Sequence, residues 1–277
     1  MLTTTLDGLW ALQVLTGIEV LSGELGLRPH LPSVEPKRVA LDHPVAAELR
    51  AAGVIDELGV VDSTVVEWLT VLSRRDIGLV VHFRTPGDDE PARALLARFA
   101  QWWVAMERSA DLIRISGAGI ASTEGAASAA LAAQIERLCG ANDPASLRPV
   151  TLDAEAMRAA ATDQQSLNAW FEKQGLDRDQ VHMLELAADP ERSAQASIVA
   201  TQSGVDTGRP TRIHVEPGSV TIIDTPEGRL VSEQVCSAGT NWMIIAPGNT
   251  SNIVKAINEM MRRLPAEQEW YSYRKVV

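Results

Sequence analysis

Apolar side chains along the 277-residue chain recur at two spacings, and the order in which those spacings alternate occurs twice. A helical stretch from His43 to Ile55 breaks near Gly53. A second helix opens at Asp62, whose carboxylate can accept from the free N–H groups of a first turn. An apolar strand follows from Ile77 to Phe83. Further on, Leu167 to Gly175, an acidic start at Asp177 or Asp179, and an apolar strand from Ala194 give the same succession of helix, Gly, acidic cap, helix, Arg and strand. The tails agree as well. Asp111 to Gly117 leads through a loop into a helix ending at Leu138, and Asn241 to Gly248 leads through Asn249-Thr250-Ser251 into a helix ending at Leu264.

This internal repeat predicts an α+β protein of two related halves, residues 1–144 and 145–277, divided in the polar stretch Asn142 to Pro149. The simplest way to bury both sets of strands is one central, mainly antiparallel β-sheet flanked by helices. Strand signals are clearest in the second half, where Ser219 to Thr225, the turn Pro226-Glu227-Gly228, and Arg229 to Val235 read as a hairpin. In the first half, Ala94 to Met106 carries Leu95, Phe99, Trp102 and Met106 at helical spacing, whereas the repeat asks for a strand pair. The repeat takes precedence, because tertiary context overrides local propensity. A strand there buries one of Trp102 and Trp103 and turns the other toward a helix or a partner. Open sheet edges leave pairing between two copies, a homodimer, as an option.

Charge narrows the classes of partner. Lys and Arg number 25 against 36 Asp and Glu, a net charge of −11. A nucleic-acid binder needs a basic stripe, as does a protein docked on anionic lipid, so neither partner is expected. No apolar run approaches the roughly 18 to 20 residues of a bilayer span. The start MLTTTLDGLW has neither the basic nor the apolar region of a signal peptide. Cys139 and Cys236 lie far apart and form no disulfide framework. The expectation is a cytoplasmic protein.

Catalytic patterns are missing from the sequence. The five histidines show no HxH or HExxH spacing and the cysteines no CxxC, so neither a metal nor a cofactor is expected. Ser116-Gly117-Ala118-Gly119-Ile120-Ala121-Ser122 looks like a phosphate loop, but a dinucleotide fingerprint asks for glycine where Ser122 stands. The glycines are read as easing a strand into a helix entrance. Asp88, Asp89 and Glu90 form a compact acidic group, either a solvated hairpin loop or a rim for a basic partner. The amphipathic helix carrying Ile253, Ile257, Met260, Met261 and Leu264 is core in the plain reading, and its adjacent methionines also suit an adaptable docking surface. By elimination the residues favour a binding protein over an enzyme, and elimination names no partner.

Several stretches carry a resemblance. Asp7 to Leu15 (DGLWALQVL), Leu72 to Val81 (LSRRDIGLVV), Phe99 to Ser109 (FAQWWVAMERS), Asp224 to Val231 (DTPEGRLV), NWMIIAPG and the ending EWYSYRKVV resemble the EspG family, cytosolic chaperones of mycobacterial type VII (ESX) secretion. The resemblance covers the whole chain and looks nearest to the member of the third ESX system. It implies a non-enzymatic role: holding the exposed tip of the PPE protein in a PE–PPE heterodimer, keeping the pair soluble and delivering it for secretion. A helical hairpin ending in apolar side chains is an aggregation hazard, and a sheet face beside helices offers a concave site to cover it. The alternatives are a small-molecule binder or enzyme on the same scaffold, and a structural subunit of the secretion machine. Carried onto this sequence, the partner-binding regions implied are Arg212 to Glu216 with Arg229 to Gln234, the helix Asn252 to Leu264 with Ile257 and Met261, and the loop Thr85 to Pro91 with Asp88, Asp89 and Glu90. Arg212 contributes from the first of these strands, and alternation along the pair picks His214, Glu216, Ser232 and Gln234 as exposed polar contributors. Reversing Glu216 is then expected to abolish binding and leave the fold intact.

Overall fold

The computed structural model describes residues 1–18, 21–27, 34–88, 92–204 and 213–274. In chain order the first half runs β1 (Leu2–Thr5), α1 (Leu6–Thr16), α2 (Lys37–Asp42), α3 (Val45–Ala51), α4 (Ser63–Arg74), β2 (Ile77–Arg84), β3 (Arg93–Phe99), β4 (Trp102–Ser109), β5 (Leu112–Ile120) and α5 (Glu124–Cys139). The second half runs β6 (Val150–Asp153), α6 (Ala154–Ala160), α7 (Gln164–Lys173), α8 (Arg178–Ala188), β7 (Ala194–Ser203), β8 (Ile213–Val215), β9 (Ser219–Thr225), β10 (Gly228–Ser237), β11 (Thr240–Pro247) and α9 (Thr250–Arg262).

Local chemistry accounts for the helix starts. Asp62 accepts from the N–H groups of Thr64 and Val65 and so caps α4. Asp177 forms a reciprocal capping box with Gln180 at α8, leaving Asp179 inside the helix. The disputed stretch Ala94 to Met106 is a strand pair, β3 and β4, turned by Ala100 at φ 54° and Gln101. Its helical look has a physical cause. β3 is buried on both faces, from Ala94 through Arg98, so it reads as a continuous apolar run, and such a run does not distinguish a strand from a buried helix. Trp103 is 2% exposed and Trp102 45%, the division expected of a strand.

All strands among the described residues belong to one antiparallel sheet, ordered β1-β5-β4-β3-β2-β7-β9-β10-β11-β6, with β8 pairing β7 beside β9. Alternation sorts the core onto two faces. On one face Ile77, Leu79 and Val81 of β2 join Ile198, Val220 and Ile222 beneath α5 and α9. Ile257 and Met261 of α9 are fully buried there, and covering each such side chain contributes about 1.5–3 kcal/mol. On the other face, α1 to α4 cover Val80, Leu95, Val104 and Ile115 in the first half. There α7 and α8 cover Ile223, Leu230 and Ile245 in the second half.

Two arginines stitch the halves together. Arg229 of β10 makes a bidentate pair with Asp224, 2.7 Å at each oxygen, and also donates to the carbonyls of Cys139 and Gly140 at the end of α5. Arg98 of β3 holds the C-terminal segment through the carbonyls of Trp270 and Tyr273. No helix among the described residues is long and apolar enough to cross a membrane.

Candidate functional site

The site is built where α6, α7 and α8 overhang the second-half sheet. The helices do not close against the strands, and a groove of about 620 Å³ remains between them. Met157, Leu167, Phe171 and Leu184 line it from the helices, and Ile223, Met243 and Ile245 from β9 and β11. Polar side chains rim the apolar floor: Arg158, Glu185 and Asp189 on the helices, and Gln195, Thr221, Ser232 and Gln234 on the strands. Register puts the strand residues on one face, since Thr221 pairs with Ser232, Ser232 with Ile245, and Gln234 with Met243. On β7 the same face carries Ser197, whose hydroxyl lies 3.4 Å from that of Thr221, and Thr201, which pairs with Val215. Ile213 and Val215 of β8, 53% and 55% exposed, extend the apolar surface beyond the groove. An apolar floor with a polar rim can take up side chains of a folded partner.

The residues picked from the sequence are divided by the structure. Ser232 and Gln234 stand at the groove, Gln234 exposed and Ser232 set deeper at 7% exposure. Glu216 and His214 stand on the opposite face. Glu216 is 5% exposed and accepts from Arg263 Nε at 2.8 Å, while Arg263 Nη1 reaches Glu233 at 2.9 Å. His214 is half-buried opposite Gln202, whose side-chain oxygen accepts from the N–H of Ala266 in the C-terminal segment. Thus Glu216 and Ser232 are not the exposed polar pair that alternation suggested. Alternation holds along each strand separately, and the break between β8 and β9 at Glu216 to Gly218 decides which parity faces which layer. Ile257 and Met261 are not surface residues either: both point into the sheet at 0% exposure and are shut off from a partner by α9 itself. Asp88 is exposed at the end of the hairpin loop; Asp89, Glu90 and Arg212 lie outside the described residues.

Sequence reasoning missed the helical wall of the groove. Leu167 and Phe171 stand one turn apart on α7, and that spacing was the available signal, though it does not distinguish a groove wall from a filled core.

A family model described as the EspG family matches residues 5–259. The ESX-2 secretion-associated protein EspG2 of Mycobacterium tuberculosis is 50% identical over 277 residues, all of both chains. The ESX-3 secretion-associated protein EspG3 of Mycolicibacterium smegmatis is 26% identical over 95% of this chain and 86% of its own. The expected nearness to the third-system member therefore does not hold, since identity to EspG2 is 50% against 26%. Among solved structures, the M. tuberculosis type VII secretion system chaperone EspG5, in complex with a PE25–PPE41 dimer, superposes with a TM-score of 0.77. It is 22% identical, with 98% of this chain and 99% of that one covered. With its fold and nearly its full length matched, this chain belongs to the EspG family.

Proposed function

We propose that this chain is a cytosolic, non-enzymatic chaperone of type VII secretion that binds a PE–PPE heterodimer through the tip of its PPE subunit. The observation that carries the reading is the half-open apolar groove of about 620 Å³ between α6–α8 and the second-half sheet, rimmed by Ser232, Gln234 and Gln195. An apolar helical tip seated there is withdrawn from water and from other copies of itself, and the polar rim keeps the contact reversible for delivery. EspG5, of the same fold, is solved with a PE–PPE dimer, which supports this class of partner. Identity of 50% to an ESX-2 secretion-associated protein supports service to a system of the ESX-2 type.

The outward strand orders β2-β3-β4-β5-β1 and β7-β9-β10-β11-β6 support reading residues 1–144 and 145–277 as related halves, of which the second holds the client. Co-expression with PE–PPE pairs of the same organism tests the function. A stable ternary complex on size exclusion is the expected result, and failure of every pair to co-elute while the chaperone is folded would reject it.

A further inference from the structure

The outer edge of β5 is only half covered. β1 pairs with β5 from Leu112 to Ile115, and among the described residues no strand lies beside Ser116 to Ile120. Gly117, Gly119 and Ile120 are exposed there, Ile120 at 58%. These residues are the glycine-rich stretch that the sequence reads as easing a strand into a helix entrance. They form the last residues of β5, whose register shifts between Trp103 and Val104 on its partner, and α5 follows from Glu124. Along the same edge, between α4 and β4–β5, runs a second groove of about 650 Å³. Trp68, Phe99, Trp102 and Ile120 line it, and among the described residues Glu67 is its one charged lining residue.

We propose that this edge and groove bind an extended segment of another polypeptide, neutral or basic, with large apolar side chains at every second position, added to β5 as a further strand. Unpaired N–H and C=O groups on a strand edge are matched by the backbone of another strand, whatever its sequence. Alternate side chains of the added strand fall on the face of the groove, which sets the period of two. Trp68 lies directly over Gly117, its Nε1 at 3.4 Å from where a Cβ would stand, an ordinary van der Waals distance, and its indole forms the wall of the groove. A second copy of this chain fits less well. Its own edge would offer Ser116, Gly117, Ala118, Gly119 and Ile120, of which Ile120 alone is large, leaving most of the 650 Å³ unfilled. Glu67 in the lining, on a chain of net charge −11, selects against acidic segments. The site belongs to the first half and stands apart from the groove under α6–α8, so it is tested independently of the client.

The probe is a phage-displayed heptapeptide library selected against the full-length protein, with the enriched peptides resynthesised with and without N-methyl groups on alternate amides. Apolar-alternating peptides are expected. Their affinity should fall at least about tenfold on N-methylation and in Ile120→Lys and Trp102→Ala, and hold in Ser232→Arg. Bound peptide should also slow hydrogen exchange of the Gly117 to Ile120 amides. The proposal is overturned by a lack of enrichment, by affinity indifferent to N-methylation and to both edge variants, or by a dimer that Ile120→Lys dissolves, which would give the edge to a second copy.

Discussion

Arg98 and Trp270 stand 172 residues apart in sequence and are joined in the core: the fully buried guanidinium donates to the Trp270 carbonyl. The same guanidinium lies 3.4 Å from Asp76 Oδ2, which also accepts from the N–H of Ala100 at 3.0 Å. Burial pulls the Arg98 pKa down to about 10, against the opposing pull of Asp76. The C-terminal segment is thus fastened to the first-half sheet by a charge with no surface exposed to solvent. Arg98→Met is expected to cost about 3–5 kcal/mol in urea denaturation, because it strips Asp76 of its guanidinium inside the core, and the double variant with Asp76→Asn should recover part of the loss. Equal stability of the single and double variants would contradict this coupling.

Glu216 and Ser232 separate fold from function. Glu216→Lys places a cation against Arg263 on the buried face and should destabilise the chain by about 3–5 kcal/mol, reversing the expectation that this position could be altered with the fold intact. Ser232→Arg sends its side chain into the free volume of the groove and should cost clearly less stability than Glu216→Lys does. Thermal melts of the two variants side by side check this, and equal melting temperatures would be the wrong outcome.

His82 gives the pH dependence a sign. Although the ring stands at an exposed position of β2, its pKa lies below the ordinary 6.5, through partial desolvation first and the Arg93 guanidinium second. The unfolded chain therefore takes up this proton before the folded one does, and the stability involved is present above pH 6.5 and lost as pH falls through the folded value. His82→Asn should flatten the fall of Tm below pH 6.5, with no change above it. An unaltered profile would show that the neighbouring charge does not act on the ring.

The two thiols should differ in reactivity. Cys236 is exposed on β10, whereas burial, partly opposed by Arg229, pushes the Cys139 pKa up to about 11. At pH 8 an aromatic disulfide reagent should titrate Cys236 rapidly and Cys139 at least roughly tenfold more slowly until the chain is unfolded. Equal rates would mean that the end of α5 opens readily.

Much of this architecture is legible in the sequence because its signals are local. Asp62 and Asp177 announce their helices through capping, and the β9–β10 hairpin announces itself through alternation and a two-residue turn closed by Gly228. The site is less legible because its geometry depends on which face each strand turns. Ser232 is a polar residue on β10 and Glu216 one just past the end of β8, and only the register of the assembled sheet sends one to the groove and the other to Arg263. Met261 shows the same limit from the helical side. An amphipathic helix has one apolar stripe, and sequence does not say whether a partner or the sheet covers it.

The central claim meets its most direct test in titration calorimetry of a purified PE–PPE heterodimer into the wild-type chain and into Ser232→Arg. A chaperone that holds its client in the groove under α6–α8 binds the heterodimer in the wild-type form and loses at least about a hundredfold in affinity in the variant, while the free variant still melts in one cooperative transition. Equal affinity of the two proteins for the heterodimer would place the client elsewhere and contradict the assignment.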